Sequence, residues 1–325
     1  MTAATEDRRI RSLRPIRATV DPWRAHGATV EDERRPNETI ERALTIFLAG
    51  AECPFTCSFC DLWRWTIDGP TPRGALPAQI RAVLQSSRGG GERSSSESPV
   101  KAVKRLKLYN ASNFFDRRAV PPEDLPLIAE LVAPFAAVTV ESHASMVGAL
   151  TTQFAQRIAG RLEVAIGLET IHPVAATRLN KRLALATFDR AATFLRSNDI
   201  DMRVFVLLGA PHVPCAESIK WTIRTVAYAA ERGASLVSVI PVRGGNGELE
   251  RLQSLGYFTP PTLSQLETVM DRCLTFAPSV VAADLWDVER LIDCSACAAQ
   301  RIARLRRLNL TGQPEPAITC SSCRS

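Results

Sequence analysis

Three cysteines lie close together directly after a short apolar run of the sequence. Cys53, Cys57 and Cys60 occur in GAECPFTCSFCDLW with the spacing C-x3-C-x2-C. Thiolates are the usual ligands of iron–sulfur clusters, and a four-iron cube held only by protein takes four of them. Three thiolates on one loop can therefore hold three corners of such a cube. The fourth iron is then left open to an external ligand.

An open iron at this loop indicates a particular chemistry. An amino acid chelate, such as the amino and carboxylate groups of S-adenosylmethionine (SAM), can fill the open position. An electron from the cluster then breaks a carbon–sulfur bond homolytically, and the resulting 5′-deoxyadenosyl radical abstracts hydrogen from a substrate. Cofactors supply this chemistry, while the protein positions them and excludes water. A zinc knuckle or three unrelated buried thiols are the alternatives, but structural zinc needs four ligands and no fourth is close in sequence.

A repeated pattern of strand-like and helix-like segments must position this loop. Strands are predicted at 44–49, 106–109, 138–141, 164–168, 203–208 and 236–240, with a further strand at 280–283. Helices are predicted at 77–85, 123–135, 152–159, 188–197, 216–232 and 263–274. Alternating strands and helices with apolar strands predict a parallel sheet covered by helices. Six units favour an α/β fold of the partial (β/α)6 TIM-like type, with the chemistry in the loops at the carboxyl ends of the strands. A doubly wound sheet is the alternative, but no G-x-G-x-x-G follows the first strand.

The chain divides into three parts by composition. Residues 1–40 are polar, arginine-rich and interrupted by prolines, which predicts an N-terminal basic arm with little core of its own. Residues 41–290 form the predicted core, and the Gly/Ser-rich segment 86–99 within it is predicted to be a flexible loop. Residues 291–325 form a small C-terminal cysteine-rich extension that is predicted to bind metal.

Two C-x2-C pairs make up this extension. Cys294 and Cys297 are followed, after 22 intervening residues, by Cys320 and Cys323. Such pairs indicate a four-thiolate site, which suits structural zinc. Four cysteines suit a second iron–sulfur cluster equally well, as a relay or substrate anchor. Zinc is favoured because paired cysteines around a helical spacer are typical of zinc ribbons.

Basic residues occur in two clusters, which together predict a surface that binds the phosphate groups of a nucleic acid. One cluster comprises Arg301, Arg304, Arg306 and Arg307, and the other comprises Lys101, Lys104, Arg105 and Lys107. Each cluster alone is more typical of a solvated face. The net charge of +6 and the pI of about 9.0 permit an anionic partner such as RNA without requiring one.

The overall composition is that of a globular protein, with 46% hydrophobic and 23% charged residues. No stretch approaches the roughly 18 apolar residues of a membrane span. A charged N-terminus argues against a secretory signal, so a cytoplasmic protein is expected. Nine cysteines then indicate metal or redox chemistry more readily than disulfides. Cys215 and Cys273 stay unassigned, with inert thiols as the default.

The cysteine loop, with Phe59 directly before the third cysteine, resembles that of the radical SAM superfamily. This resemblance implies a partial (β/α)6 barrel over about residues 44–285, a [4Fe-4S] cluster and SAM as cofactors. It also implies an electron donor such as flavodoxin or ferredoxin. The resemblance also implies that the aromatic ring of Phe59 lies near the adenine of SAM.

Shorter motifs resemble particular subgroups of the superfamily. YNASNFFD places Ala111, Ser112 and Asn113 at the turn where the family has a Gly-Gly-Glu-like sequence that meets the amino group of SAM. VESH and NASNFFD resemble the archaeosine-forming radical SAM proteins, which implies that Glu141 lies inside the barrel mouth. Arg243, in IPVRGGNG, is a candidate to contact the carboxylate of SAM or a phosphate, and a surface ion pair is its alternative.

A second set of motifs resembles the subgroup of the elongator catalytic subunit and the methylthiotransferases. In GLETIHP…LNKR, Glu169 is the implied polar contact to the cofactor, supported by Asn180 and Arg182. LLGAP is similar to the glycine–proline turn of that subgroup, at Gly209 and Pro211.

Three functions follow as hypotheses. The leading one is a radical SAM enzyme that modifies an RNA base or nucleoside, with tRNA modification as the example. The second applies the same chemistry to a peptide or small metabolite, with an auxiliary iron–sulfur cluster at the C-terminal cysteines. The third is a non-enzymatic zinc protein that binds RNA. Iron at the C-terminal cysteines favours the second, and zinc favours the first.

Overall fold

The computed structural model of the chain describes residues 2–89, 103–274 and 279–323. Residues 90–99 of the predicted flexible loop, and Lys101, lie outside the described residues. Residues 86–89, at the beginning of that predicted loop, instead continue a helix.

Among these described residues, eight strands form one sheet, in the order in which they occur along the chain. They are β1 (Gly27–Arg34), β2 (Ile40–Phe47), β3 (Arg105–Tyr109), β4 (Ala137–Ser142), β5 (Arg161–Glu169), β6 (Asp201–Leu208), β7 (Leu236–Pro241) and β8 (Val280–Ala283). β1 is antiparallel to β2, and every later pairing is parallel. The sheet curls into a half-barrel, so the predicted α/β partial barrel is confirmed. All seven predicted strands are present.

Ten helices occur among the described residues, and several of those between the parallel strands pack against the sheet. The ten are α1 (Ala3–Ser12), α2 (Ala75–Gly89), α3 (Leu125–Val132), α4 (Ala149–Arg157), α5 (Pro173–Arg178), α6 (Leu185–Ser197), α7 (Ser218–Glu231), α8 (Glu248–Ser254), α9 (Leu263–Cys273) and α10 (Ala298–Thr311). The predicted helix 123–135 is shorter, because α3 ends before Pro134 and is preceded by a 3-10 turn. No helix among the described residues is long and apolar enough to cross a membrane.

The strands separate two environments because successive side chains point to opposite faces. On β3, Leu106 and Leu108 belong to the apolar core beneath the helices. The alternate residues Arg105 and Lys107 are also buried, but they face the inside of the barrel and pair with acidic residues. The prediction that Arg105 and Lys107 lie on a basic surface is therefore wrong.

The N-terminal segment contains α1 and β1, neither of which the sequence predicts. Both are polar, and Ile10 is the one buried residue of α1, so no apolar periodicity marks them. Ion pairs attach the segment to the core instead. Arg9 contacts Glu248 at 2.5 Å, and Arg14 contacts Glu52 at 2.8 Å. The arginines that suggested a free basic arm thus include two that bind acidic residues of the core.

The C-terminal helix α10 lies at the opposite end of the chain but meets the same sheet. It packs against α9 and contacts both edge strands, β8 and β1. The Asn309 side chain pairs with the outer edge of β8, since its amide nitrogen donates to the Ala283 carbonyl and its oxygen accepts from the Ala283 N–H, both at 2.8 Å. The helix therefore covers the open side of the half-barrel.

Candidate functional site

The three-cysteine loop follows β2 and lies at the carboxyl ends of the parallel strands, here called the barrel mouth. Two other loops of the mouth fix its backbone. The Ser58 N–H donates to the Leu179 carbonyl at 2.9 Å. The Asn246 amide donates to the carbonyls of Ser58 at 2.9 Å and Cys60 at 3.3 Å. The loop is thus held by the segment after β5 and by the segment after β7, in the place where α/β barrels carry their chemistry.

The thiols of this loop are buried enough to disfavour their charged forms. Burial raises the pKa of Cys53 and Cys60, and it raises the pKa of Cys57 to about 12. Two neighbours act in the opposite direction: the Lys181 ammonium is close to Cys53 and Cys57, and the Asn113 amide donates to the Cys53 sulfur at 3.3 Å. A bound metal deprotonates its thiol ligands, so this environment suits a cationic cluster rather than free thiolates.

Asn113 links the cysteine loop to the loop after β4. Its side-chain oxygen accepts from the His143 N–H at 2.7 Å. The His143 ring stacks on Phe55 with centroids 4.1 Å apart, and its nitrogens contact the Ser145 hydroxyl at 2.7 Å and the Lys181 carbonyl at 3.1 Å. Burial lowers the pKa of His143 to about 4, so the ring is neutral near pH 7. His143 therefore positions the loop.

Several buried polar atoms in the segment after β3, which includes Asn113, and on Glu141 of β4, whose charge acts on Cys53, have no hydrogen-bond partner among the described residues. They are the Ser112 hydroxyl, the Glu141 Oε1 atom and both side-chain polar atoms of Asn110. Burial raises the pKa of Glu141 to about 7, although the backbone N–H groups of 110–112 oppose this effect. An unsatisfied buried polar group is costly, and several together are the groups that a polar ligand would satisfy. The mouth beside the cysteines therefore fits a polar cofactor such as SAM.

Glu169 lies at an irregularity of β5, where the register with β6 shifts. Its backbone is left-handed, with φ of 68°, and its carboxylate is buried against the Lys181 ammonium at 2.8 Å. A Cβ at Gly167 would overlap both charged groups, so glycine makes room for the pair. Backbone strain of this kind occurs most often at functional sites.

Asn180 and Arg182 flank Lys181 but point elsewhere. The Asn180 amide donates to the Thr56 carbonyl at 2.9 Å and the Thr56 hydroxyl at 2.7 Å, and Arg182 pairs with Asp7 of α1. They brace the cysteine loop against the N-terminal helix. Lys181, which the sequence analysis did not single out, is the member of LNKR that reaches the cysteines.

Phe59 lies on the three-cysteine loop, and Arg243 lies in the segment after β7. Phe59 packs on a small apolar cluster that includes Leu207 and Val242, and the Lys181 nitrogen lies 6.0 Å from its ring centroid. Arg243 pairs with Asp284 at 3.0 Å, while its Nε atom is buried without a partner among the described residues. The Phe59 ring thus lies beside the Lys181 ammonium, whereas the Arg243 guanidinium is held by Asp284. The predicted turn at Gly209 has a left-handed glycine packed against Pro261.

Below the mouth, a network of buried ion pairs fills the inside of the barrel. Glu163 is its centre and accepts from Arg203 at 3.0 Å and from Arg35 at 2.8 Å. Arg203 also contacts Glu33 at 2.7 Å, and Glu33 contacts Lys107 at 2.9 Å. Sequence reasoning missed this network, because its members come from separate strands and no local pattern joins them.

The four C-terminal cysteines come together as predicted, and their sulfurs lie within 4.8 Å of one another. Two arginines of the spacer between them are buried and pair with acidic residues of α9. Arg301 contacts Glu267, and Arg304 contacts Glu267 at 3.2 Å and Asp271 at 2.6 Å. The prediction that Arg301 and Arg304 belong to a phosphate-binding surface is therefore wrong.

No protein-family model matches this sequence, and no curated protein matches it. Solved structures do match. The archaeal Methanocaldococcus infernus Elp3 aligns with a TM-score of 0.52 at 12% identity over 73% of this chain, which spans 60% of the length of that Elp3 chain. Methylornithine synthase (PylB) aligns at 0.53 and 15% identity over 81% of this chain and 67% of its own. A radical SAM methyltransferase from Sphaerobacter thermophilus aligns at 0.51 and 14% identity over 81% of this chain and 77% of its own. From the cysteine loop at the mouth of a half-barrel and from these likenesses, we conclude that the chain has the fold of the radical SAM enzymes.

Proposed function

We propose that the chain is a radical SAM enzyme whose cluster is held by Cys53, Cys57 and Cys60. A [4Fe-4S] cluster held there would supply the electron for the reductive cleavage of SAM and so for hydrogen abstraction from a substrate. The observation that carries the proposal is the set of orphaned polar atoms of Ser112, Glu141 and Asn110 beside a loop with three ligands instead of four.

The residues of the chain have separable tasks in this proposal. Asn113 donates to the Cys53 sulfur and stabilises its negative charge. Lys181 places a positive charge next to the cysteines and holds the Glu169 carboxylate in the mouth. Glu141 and Ser112 offer polar atoms to the amino acid part of SAM, while Phe59 provides an apolar surface near the adenine and excludes water. An external donor such as flavodoxin or ferredoxin delivers the electron.

The substrate is proposed to be a small polar molecule, such as a nucleoside, that enters the barrel mouth. Four residues of the predicted phosphate-binding surface are buried in ion pairs and are not available to a large RNA. They are Arg105, Lys107, Arg301 and Arg304. The buried ion pairs of Glu163 with Arg203 and Arg35 lie inside the barrel, so the ligand is proposed to bind at the mouth, beside the polar atoms that lack partners. Modification of a base within tRNA remains the second candidate, supported by the resemblance of the LNKR and VESH motifs to RNA-modifying subgroups.

The test is anaerobic reconstitution with iron and sulfide, reduction with dithionite, and measurement of 5′-deoxyadenosine from SAM. We expect wild-type protein to release the nucleoside and Cys60→Ala to release none, since loss of one ligand removes the cluster. Cys215→Ser is the matched control and keeps wild-type release, because Cys215 is exposed and belongs to a 3-10 turn after β6 rather than to the three-cysteine loop. Bulk tRNA and free nucleosides are then compared for their stimulation of release.

Release by Cys60→Ala at the wild-type rate, or no release by wild-type protein with a full complement of iron, would contradict the proposed chemistry. Stimulation by tRNA and not by nucleosides would overturn the proposed small substrate while leaving that chemistry intact.

A further inference from the structure

The four C-terminal cysteines form a compact group away from the barrel mouth. Cys294 and Cys297 immediately precede α10, and Cys320 and Cys323 lie on the tail that runs back along this helix. The sulfurs of Cys294 and Cys320 are 4.0 Å apart, and those of Cys297 and Cys323 are 3.8 Å apart. All four lie within 4.8 Å of one another.

These distances distinguish between two disulfides, a single metal ion and a four-iron cube at the four cysteines. Disulfide sulfurs are bonded at about 2.05 Å, so the observed pairs are too far apart for that. Four thiolates at about 2.3 Å from one tetrahedral ion stand about 3.8 Å from each other, which matches the observed spacing. A four-iron cube attaches each thiolate to a separate iron and therefore holds them considerably further apart. The sulfurs surround a space for one ion.

A buried arginine adds charge complementarity to this geometry. The Arg301 Nε donates to the Cys297 sulfur at 3.0 Å, and the same guanidinium lies 3.9 Å from the Cys323 sulfur. Four thiolates around a divalent ion carry a net charge of −2, which an adjacent guanidinium partly offsets. Glu267 contacts both Arg301 and Arg304 and so orients the donor. Partners of this kind fix the ligands of metal sites.

The position of the site indicates what it does. It gathers the beginning of α10 and the returning tail at one point, and α10 contacts both edge strands of the sheet. The Arg304 side chain further ties the helix to the tail, because it donates to the Glu315 and Pro316 carbonyls at 2.6 Å and 2.9 Å. A cross-link here therefore restrains the element that covers the open side of the half-barrel.

We propose that Cys294, Cys297, Cys320 and Cys323 bind a single Zn²⁺ ion in a closed structural site, and that this ion fastens α10 across the open side of the barrel. The proposal does not depend on the radical chemistry. Zinc has no redox chemistry and takes four thiolates in tetrahedral geometry, so it suits a site that leaves no position open for a substrate.

The first test is elemental analysis of wild-type holoenzyme prepared anaerobically, together with zinc K-edge X-ray absorption. We expect one zinc per chain, coordinated by four sulfurs at about 2.3 Å. A second set of about four irons with matching sulfide, a single iron bound without sulfide, or zinc bound by nitrogen or oxygen would each overturn the proposal. The absence of any metal beyond the first cluster would do so as well. This test needs no variant to fold.

The second test uses Cys294→Ser combined with Cys320→Ser, with Cys215→Ser as the matched control. We expect zinc to fall to near zero in the double variant while the iron content stays at the wild-type value. Loss of iron with retention of zinc would show that the cysteines hold iron instead.

Arg301→Gln is expected to keep the site but to weaken zinc binding by about 10- to 100-fold in competition with a chromophoric chelator. Wild-type affinity in Arg301→Gln would exclude the role given to this arginine.

The third test follows backbone amide exchange with deuterium in wild-type protein and in the double variant. The Ala283 N–H donates to Asn309 of α10, so we expect faster exchange in β8 and α10 once zinc is lost. Central strand β4 is the internal control and keeps its protection. Equal exchange of β8 in both proteins would contradict the fastening role, even if zinc is present.

Discussion

The Lys181 side chain places a positive charge close to Cys53 and Cys57 of the three-cysteine loop. The LNKR motif directed attention to Asn180 and Arg182, yet both have left-handed backbones and turn toward Thr56 and Asp7. Lys181 lies between them and points to the cysteines, with its nitrogen 2.8 Å from the Glu169 carboxylate. A motif in a loop specifies which residues are close, but positive φ values decide which side chain points inward. Those values depend on tertiary packing and cannot be read from the sequence.

A positive charge next to an iron–sulfur cluster favours its reduced form, which carries more negative charge. We therefore expect Lys181→Met to lower the midpoint potential of the reconstituted cluster by several tens of millivolts, where about 59 mV is a tenfold change for one electron. Lys181→Arg keeps the charge and is the matched control. Redox titration followed by electron paramagnetic resonance measures both. An unchanged potential in Lys181→Met would exclude this electrostatic role and leave Lys181 as a partner of Glu169 only.

Within each strand, side chains alternate between an outer and an inner face of the sheet. The sequence predicts the apolar outer face but not the charged inner face. All the parallel strands are predictable, because apolar residues such as Leu106 and Leu108 mark their outer faces. The inner faces are not, since Arg105 and Lys107 on β3 have the composition of a solvated surface. Their burial depends on acidic partners from other strands, Glu41 on β2 for Arg105 and Glu31 and Glu33 on β1 for Lys107. Long-range pairing of this kind leaves no local signature.

The ion-pair network predicts how stability depends on pH. Neighbouring arginines and Lys107 hold the pKa of Glu163 and of Glu33 well below the ordinary value of 4.5. A carboxylate with a lowered folded pKa contributes stability that is fully present above its unfolded pKa and is lost as the pH falls through the folded value. We expect the free energy of unfolding, measured with urea, to decline steadily below about pH 4.5.

Glu163→Gln tests the same network at neutral pH. Removing one partner leaves buried arginines without full compensation, so we expect a loss of about 3–5 kcal/mol at pH 7 and a weaker decline in acid. Glu123→Gln is the control, since Glu123 is exposed. A loss below about 1 kcal/mol, the range of surface pairs, would mean that the network is solvated.

At the scale of the whole molecule, both ends of the chain complete the barrel. β1 adds an antiparallel edge next to β2, and α10 meets that edge and β8. The sequence predicted the central units and both cysteine sets, because regular strands and fixed cysteine spacings are local signals. It did not predict that the polar N-terminal segment, with Asp7 and Arg9, supports the mouth through ion pairs and hydrogen bonds. Those contacts join residues that are far apart in the chain.

The proposed chemistry depends on a four-iron cube that Cys53, Cys57 and Cys60 hold with one iron open to SAM. The electron paramagnetic resonance spectrum of the reduced, reconstituted protein, recorded with and without SAM, tests this arrangement. We expect a [4Fe-4S]⁺ signal whose g values shift when SAM is added, both in wild-type protein and when Cys294 and Cys320 are replaced by serine. A signal that does not respond to SAM, or one that persists when Cys53, Cys57 and Cys60 are replaced by alanine, would contradict it.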